Sequence, residues 1–390
     1  MSRLRDIIRR EIDTCGPMTF ARFMELSLYC PDFGFYERIT NTPGRRGHYL
    51  TSVSVGPLFG ELLALQFAQW LGRLAARGSS GDWNGKIPHG HQIVEAGAQD
   101  GRLAADILRW FKLRRRQWFE RLEYWILEPS LCRQQWQRRT LEPFAGRVRW
   151  FASWEKLPPS GVRGIIFSNE LLDALPVHRL GWNAAQKTWF EWGVNAADGD
   201  LVWCKLPLAK THRRQAADGD APGARPARRI AHLPDLPAPL LAVLPDGFLA
   251  EICPAAADWW RQAAAALKGG WLLTLDYGSA HEPFVGPERA QGTLRAYYRH
   301  RSSADLLANA GDQDLTAHVD FSALQRAGES AGLKTAGLLS QEKFLTPIAA
   351  AMRRDEAALG EWTAAHTRQF QTLTHPEHLG RSFQALVQTR

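Results

Sequence analysis

The middle of the chain alternates short apolar segments with segments that have helical periodicity. Four of these segments have the length and composition of buried strands, and they lie at residues 92–95, 124–128, 148–151 and 164–168. Helical patterns occupy the intervening stretches at residues 102–112 and 130–141. Strands that alternate with helices form βαβ units, and right-handed crossovers make their sheet parallel. The sequence therefore predicts an α/β fold.

Other patterns flank this core on both sides. Helical spacing of apolar residues at 4–12, 19–28 and 56–74 predicts an N-terminal helical or cap portion over residues 1–85. Three segments with alternating polarity between 178 and 206 predict an antiparallel insertion that ends at about residue 240. Residues 211–238 are rich in Arg, Ala, Pro and Gly, which is typical of a surface loop.

The C-terminal third returns to the core. A helix at 255–267 and a buried strand at 271–276 complete a core that we assign to residues 86–280 together with 322–390. Residues 281–321 are predicted to form an inserted lid or substrate element, in which residues 292–321 have a loop-and-helix pattern. From residue 344 onward, the pattern is largely helical.

Composition restricts the classes of function. The five cysteines contain no C-x-x-C pair, which argues against a disulfide framework or a zinc site, so no metal is predicted. No apolar stretch approaches the length of about 18 residues that a membrane span needs. The N-terminus lacks the apolar region of a secretory signal and contains acidic residues. We therefore expect a soluble cytoplasmic protein that does not bind membranes.

The net charge of +8 is too small for this length to identify a partner. Basic residues are not interleaved with aromatic ones in a recognisable module, so a nucleic-acid partner is not expected. Whether the chain forms a homodimer is left open.

A glycine-containing turn follows the first predicted core strand. Gly97 and Gly101 stand between that strand and a helix, where a ligand can approach the backbone and the helix N-terminus. Glu128 ends the next strand, and a carboxylate there can accept both hydroxyls of a ribose. The pattern indicates a nucleoside cofactor, either a dinucleotide or S-adenosylmethionine, with a plain turn as the alternative. The spacing is not G-x-G-x-x-G, and Glu95 suits the amino group of a methionine.

Ordered motifs along nearly the whole chain resemble the MidA family of S-adenosylmethionine-dependent methyltransferases, whose eukaryotic branch assists complex I assembly in mitochondria. The matching segments are residues 16–24, 29–36, 47–52, 95–101, 128–130, 169–176, 275–278, 292–297, 314–321, 341–345 and 375–383. The resemblance implies a seven-stranded Rossmann-like methyltransferase core and S-adenosylmethionine as the cofactor. For one branch, it implies an arginine side chain of a partner protein as the acceptor.

The cofactor-binding candidates come from the turn, from the strand ends and from the matching motifs. They are Tyr49, Thr51, Ser52, Glu95, Gly97, Gly101, Glu128, Pro129, Ser130, Trp154 and Asn169. Trp154 could stack on adenine or simply pack in the core. Tyr49, Thr51 and Ser52 could close over the cofactor or form an ordinary turn.

The catalytic candidates are polar residues at or near predicted strand ends and within the matching motifs. They are Asn169, Glu170, Asp173, Glu191, Asp276 and His318. Carboxylates can accept hydrogen bonds from the planar guanidinium group of an arginine and favour the form that carries a reactive lone pair. Asp173 could instead cap a helix, Asp276 could form a turn, and His318 could have a structural role.

Two residues depart from the family motifs. Gln99 and His48 stand where the family has a glycine and an aspartate, respectively. If position 99 requires a positive φ, its side chain costs roughly 1–2 kcal/mol. The sequence thus predicts a methyltransferase for a protein side chain, arginine first. The alternatives are a small-molecule O- or N-methyltransferase and a catalytically silent assembly factor.

Overall fold

The computed structural model describes residues 3–38, 51–78, 90–208, 238–279, 290–299 and 301–390. Tyr49, His48 and residues 211–237 of the expected surface loop lie outside this part of the chain. The helices in it, numbered α1 to α13 in chain order, are Arg3–Cys15, Phe20–Tyr29, Ser52–Val55, Leu58–Gly78, Arg102–Arg114, Arg116–Arg121, Leu131–Thr140, Ala238–Val243, Pro254–Ala266, Phe321–Ser330, Gln341–Arg354, Glu356–Leu359 and Ala364–Thr374. None of these helices is both long enough and apolar enough to cross a bilayer.

The strands of the same residues form three sheets. Numbered β1 to β16 in chain order, they are Met18–Thr19, Gln92–Ala96, Glu123–Leu127, Val148–Phe151, Val162–Asn169, His178–Asn183, Thr188–Ala197, Asp200–Leu206, Leu249–Ile252, Leu267–Ser279, Arg295–Tyr298, Arg301–Ser303, Asp314–Thr316, Val319–Asp320, Lys334–Ser340 and Phe383–Thr389.

The largest sheet is the predicted core. Its strand order is β15-β16-β10-β5-β2-β3-β4, and the short β14 also pairs with β10. Strands β10, β5, β2, β3 and β4 are parallel, whereas β16 runs antiparallel to both of its neighbours. The Rossmann-like methyltransferase core with seven strands is therefore confirmed.

The strand order places a crevice between β2 and β5. The chain moves from β2 outward through β3 and β4, and then returns to the other side of β2 to form β5. Ligands of open α/β sheets bind at such a switch point, beyond the carboxyl ends of the strands. Glu95 and Phe167 are paired in register, so the loops after β2 and β5 start side by side.

Apolar side chains cover both faces of this sheet. Helices α4, α5 and α11 contribute to the core on one face, and α9 and α10 contribute to the core on the other. The strands between these layers are fully buried, as in the continuous runs at Ile93–Val94 and Ile165–Phe167. Burial on both faces is typical of parallel sheets, and it fixes the carboxyl ends of the strands in place.

The antiparallel insertion is also present. Strands β6, β7 and β8 pair as predicted, and β1 and β9 join their sheet at its edges. Helices α1 and α2 pack against this region and against the segment that carries Leu294 and Leu315. The division of the chain into domains stays a prediction.

Two predictions for the C-terminal half need correction. The described residues of the 281–321 element form a small antiparallel sheet, in which β11 pairs with β12 and β13, rather than loop and helix. The largely helical pattern from residue 344 holds through α13, but the chain then adds β16 to the core sheet. In the small sheet the short strands are stabilised by neighbours along the chain, as where Tyr298 pairs with Arg301. Strand β16 instead depends on a distant partner, because Val387 pairs with Leu273.

Candidate active site

The turn between β2 and α5 has a left-handed backbone at three positions. Gly97 and Gly101 have φ values of 75° and 85°, and Gly101 is the N-cap of α5. A Cβ atom at Gly97 would lie 3.0 Å from Leu171 Cδ1, so a side chain here would be both strained and crowded. Glycine therefore lets the backbone turn sharply and exposes the helix N-terminus, which favours negative charge.

Gln99 is the third left-handed position. Its φ is 46°, which a non-glycine residue adopts at a cost of roughly 1–2 kcal/mol. Gln99 is one of the residues that line the pocket described next. The turn thus keeps its glycine-like conformation despite the side chain.

A pocket lies between this turn and the end of β5. Its empty space, counted to its open mouth, is about 330 Å³. Its lining combines the turn, the end of β5 and the start of α3: Thr51, Val53, Glu95, Gly97, Ala98, Gln99, Asp100, Leu103, Asn169 and Glu170. Four of the predicted cofactor-binding residues, Thr51, Glu95, Gly97 and Asn169, are thereby brought together at the switch point of the sheet.

Glu95 is the acidic group at the base of this pocket. Its Oε2 accepts a hydrogen bond of 2.6 Å from the hydroxyl of the buried Tyr124. Burial raises the pKa of Glu95 to about 8, and the bond from Tyr124 only partly offsets this effect. A ligand ammonium group would stabilise the ionised form of Glu95.

Glu170 faces the turn from the end of β5. Its φ is 50°, an uncommon value for a glutamate. Its Oε1 accepts hydrogen bonds of 3.0 Å from the backbone N–H of Ser52 and from Asn169 Nδ2. Oε2 of Glu170 and Oδ1 of Asn169 are buried and have no hydrogen-bond partner among the described residues. Burial raises the pKa of Glu170 to about 8.

Asp276 holds the turn after β5. Its Oδ2 accepts from the backbone N–H groups of Leu171 and Leu172, and its Oδ1 accepts from that of Tyr277. Burial raises the pKa of Asp276 to about 7, although these bonds favour the charged form. The structure thus gives Asp276 a positioning contact with the backbone that carries Glu170.

Asp173 lies on the same turn and is also buried. Burial raises its pKa well above its ordinary value, and the neighbouring carboxylates of Asp276, Asp314 and Glu170 raise it further. Asp314 comes from β13 and accepts a hydrogen bond of 2.9 Å from the Tyr36 hydroxyl. Within the described residues, no Lys or Arg forms an ion pair with Glu170, Asp173 or Asp276.

Thr51 and Ser52 connect α3 to this site. Thr51 lines the pocket, and its side chain caps α3 by accepting from the Ser54 N–H. The Ser52 backbone N–H donates to Glu170, while its hydroxyl donates to Gln341 Oε1 at 3.2 Å. Ser52, a predicted cofactor-binding residue, thus contacts the catalytic candidate Glu170 directly through its backbone.

Glu128 is buried at the end of β3 and does not line the pocket itself. Its Oε1 accepts from the Ser130 backbone N–H, its Oε2 accepts from Gln137 Nε2 at 3.0 Å, and Arg133 Nη1 lies 3.8 Å away. Burial raises the pKa of Glu128. The Ser130 hydroxyl caps α7 and also donates to Glu37 Oε2 at 2.6 Å, whereas Pro129 is exposed.

Three other candidates lie elsewhere. Glu191 belongs to the antiparallel sheet, where its Oε1 lies 2.6 Å from His178 Nδ1. The His318 side chain is exposed, and its backbone N–H donates to Thr293 Oγ1. Trp154 packs edge-on against Trp259 with ring centroids 5.4 Å apart. None of the three lines the described pocket.

The site also contains residues that the sequence did not single out. They are Leu103 in the pocket lining, Tyr124 behind Glu95, Gln137 beside Glu128, and Asp314 beside the turn after β5. Helix α7 gave a weak signal for a buried polar side chain, because most of its residues are polar although it follows a core strand, but this did not identify Gln137 itself. Such a helix has to use polar side chains on its inner face.

The residues present fit S-adenosylmethionine. Gly97 turns the backbone sharply where a side chain would be strained and would crowd Leu171. Asn169 and Glu170 line the same pocket, and each has a buried oxygen without a hydrogen-bond partner among the described residues. Glu95 can pair with an amino group, and Glu128 offers a carboxylate at the next strand end. This combination of groups suits an adenosyl amino acid.

Comparisons with known proteins support the same conclusion. The mouse protein arginine methyltransferase NDUFAF7, mitochondrial, is 27% identical over 359 residues, covering 86% of this chain and 71% of the mouse protein. The rat protein of the same name is 26% identical over 401 residues, covering 96% of this chain and 81% of its own length. These names contradict the predicted cytoplasmic location, which is wrong because the matching curated relatives, including one from Caenorhabditis elegans, are mitochondrial proteins.

Solved structures agree with the fold and the cofactor. A Burkholderia thailandensis protein with bound S-adenosyl-homocysteine is 29% identical, with a TM-score of 0.76, and the match covers 99% of this chain and 92% of that one. A native structure from the same organism is 28% identical and has the same TM-score, with 99% and 91% covered.

A family model described as "Putative S-adenosyl-L-methionine-dependent methyltransferase" matches residues 62–339, which include the glycine turn, the acidic strand ends and the inserted element. The match spans most of the core and confirms the family inferred from the motifs. This chain therefore belongs to that methyltransferase family, and S-adenosylmethionine is its methyl donor.

Proposed function

We propose that this enzyme methylates the side chain of an arginine in a partner protein. The observation that carries the proposal is the group of buried carboxylates at the end of β5, formed by Glu170, Asp173 and Asp276. Buried charges in proteins are normally paired, and no described cation pairs with these three. A guanidinium acceptor would supply the missing positive charge, with a donor fork that suits carboxylates.

The relatives support arginine as the acceptor. The mouse and rat proteins that match most of this chain are named protein arginine methyltransferases. A neutral small molecule would give no compensation for ionising Glu170 and Asp173, whose charged forms burial disfavours. The acidic turn therefore favours a cationic acceptor over a phenol or an alcohol.

Separate groups are proposed to hold the donor. Gly97 and Gly101 let its methionine portion approach the backbone, Glu95 pairs with its amino group, and Glu128 accepts its ribose hydroxyls. S-adenosylmethionine supplies an electrophilic methyl group on a sulfonium centre. Because the transfer is a displacement in line with that bond, the protein contributes mainly alignment and removal of a proton.

Glu170 is proposed to bind the acceptor and to take its proton. Oε1 is fixed by Ser52 and Asn169, which leaves Oε2 as the oxygen available to a guanidinium N–H. A carboxylate whose pKa is raised to about 8 is a stronger base than an exposed glutamate. Asp276 fixes the backbone of this turn, and Asp173 is a second buried carboxyl group that a cationic acceptor would help to ionise.

The test uses the full chain, S-adenosylmethionine with a labelled methyl group, and a cell extract from which any endogenous copy of this protein has been removed. We expect label in protein, recovered as methylarginine after hydrolysis and mass spectrometry. Glu170→Gln should abolish it, while the exposed Glu361→Gln should leave it unchanged. Label confined to small molecules, or to another amino acid, would refute arginine as the acceptor.

A further inference from the structure

A buried glutamine connects the glycine turn to the acidic end of β3. Gln137 lies on the inner side of α7 and is fully buried. Its Nε2 donates two hydrogen bonds of 3.0 Å, one to the backbone oxygen of Gln99 and one to Glu128 Oε2. Its Oε1 accepts a hydrogen bond of 3.0 Å from Trp150 Nε1. Both protons of the amide and its carbonyl are therefore used.

These bonds bring two different parts of the donor site together. Gln99 belongs to the turn that lines the pocket, whereas Glu128 is the acid proposed to accept the ribose hydroxyls. Both groups lie within one hydrogen bond of the same nitrogen, so the position of Gln137 determines their spacing. The Trp150 indole fixes which end of the amide faces them.

We propose that Gln137 is a positioning residue for S-adenosylmethionine, setting the spacing between the methionine-side turn and the ribose-binding carboxylate. Each carboxylate oxygen of Glu128 has two lone pairs, and one on each is taken by Ser130 and Gln137. One lone pair on each oxygen is left for the adjacent hydroxyls of a ribose. The inference rests on the proposed role of Glu128 and is independent of the acceptor.

Other side chains at position 137 could not provide this arrangement. Methionine has a similar length but no donor, and it would leave the Gln99 carbonyl and the Glu128 carboxylate without this partner. A glutamate would place a second negative charge beside Glu128. The neighbouring Gln134 gives a matched control, because it lies on the same helix and donates only to the backbone oxygen of Glu128.

The experiment measures ligand binding without turnover. Calorimetry compares S-adenosyl-homocysteine with its 2′-deoxy analogue for the wild-type chain, Gln137→Met and Gln134→Met. We expect Gln137→Met to weaken S-adenosyl-homocysteine by about ten- to a hundredfold, as for the loss of a hydrogen bond to a charged group. The loss of affinity on going from S-adenosyl-homocysteine to its 2′-deoxy analogue, here called the 2′-hydroxyl penalty, should also be smaller in Gln137→Met than in the wild type. Gln134→Met should change both quantities by less than about twofold.

The size of the 2′-hydroxyl penalty separates positioning from stability, because a destabilised but folded protein keeps its preference between the two ligands. If Gln137→Met does not fold, Gln137→Asn provides the same comparison, since its shorter amide cannot reach both acceptors. A wild-type penalty in every folded variant at position 137 would overturn the inference.

The variant Glu128→Gln distinguishes the role of Gln137 from the proposed role of Glu128 in binding the ribose hydroxyls. If this variant removes the 2′-hydroxyl penalty while Gln137→Met and Gln137→Asn retain it, the role of Gln137 is wrong and that of Glu128 stands. If Glu128→Gln also retains the full penalty, both are wrong. Neither result affects the arginine proposal, because no acceptor is present.

Discussion

Replacing Glu170 by glutamine should make the ligand-free protein more stable above pH 5 while it abolishes methyl transfer. Glutamine has nearly the same shape, and its carbonyl oxygen can still accept from the Ser52 N–H and from Asn169. What it removes is the ability to ionise inside a buried site. The two effects have opposite signs, which makes this substitution more informative than a simple loss of activity.

The magnitude follows from the pKa of Glu170. Burial raises this pKa from 4.5 to about 8, so the folded state retains a proton that the unfolded state loses between these two pH values. The free energy of unfolding therefore falls as the pH rises through this window. At about 1.4 kcal/mol per pH unit, the wild-type protein loses about 3 kcal/mol between pH 4.5 and pH 7. The glutamine variant does not incur this loss.

The assay is calorimetric melting at intervals from pH 5 to pH 8. The melting temperature of Glu170→Gln should exceed that of the wild type by an increment that grows to several degrees across this range. The exposed Glu361→Gln should follow the wild type at every pH. Methyl transfer by Glu170→Gln should fall by a factor of about 10² or more. A difference in melting temperature that stays constant from pH 5 to pH 8 would refute the reasoning.

Three further substitutions test the pocket. Gln99→Gly should stabilise the protein by about 0.5–1 kcal/mol in denaturant titration, because relief of the strain at φ 46° exceeds the added chain entropy; a destabilised variant would contradict this. Gly97→Ala should weaken S-adenosyl-homocysteine in calorimetry, since its Cβ would lie 3.0 Å from Leu171; unchanged affinity would show that the turn has room. The affinity of the wild type for S-adenosyl-homocysteine should increase from pH 6 to pH 8, because burial raises the pKa of Glu95 to about 8 and the ligand ammonium prefers the ionised carboxylate. Glu95→Gln should reduce this dependence of affinity on pH. Equal dependence in the two proteins would exclude this role of Glu95.

The core of the fold could be predicted from the sequence because its elements have strong local signals. The apolar strands before Glu95 and Glu128 and the glycines at 97 and 101 define the switch point without distant contacts. Strand β16 could not be found in this way. Its seven residues follow a helical segment, and they become a strand by pairing with β10, more than a hundred residues earlier in the chain.

The candidate site was predictable only in part, for a related reason. Glu170 and Glu191 both lie at or near predicted strand ends, and nothing local distinguishes them. The structure separates them because β5 belongs to the parallel core, whereas β7 belongs to the antiparallel insertion, where Glu191 contacts His178. Gln137 escaped notice because its role depends on three partners from three elements.

The pocket combines several features that each reduce the stability of the ligand-free fold. Gln99 and Glu170 have left-handed backbones on facing turns, and such strain costs of the order of 1–3 kcal/mol per residue. Glu95 and Glu170 are also buried carboxylates with a raised pKa. A ligand with positive charge relieves the electrostatic part of this cost, because it allows both groups to ionise in place. The donor and a guanidinium acceptor each bring positive charge to the pocket, so each should raise the melting temperature, and together they should raise it more than either ligand alone.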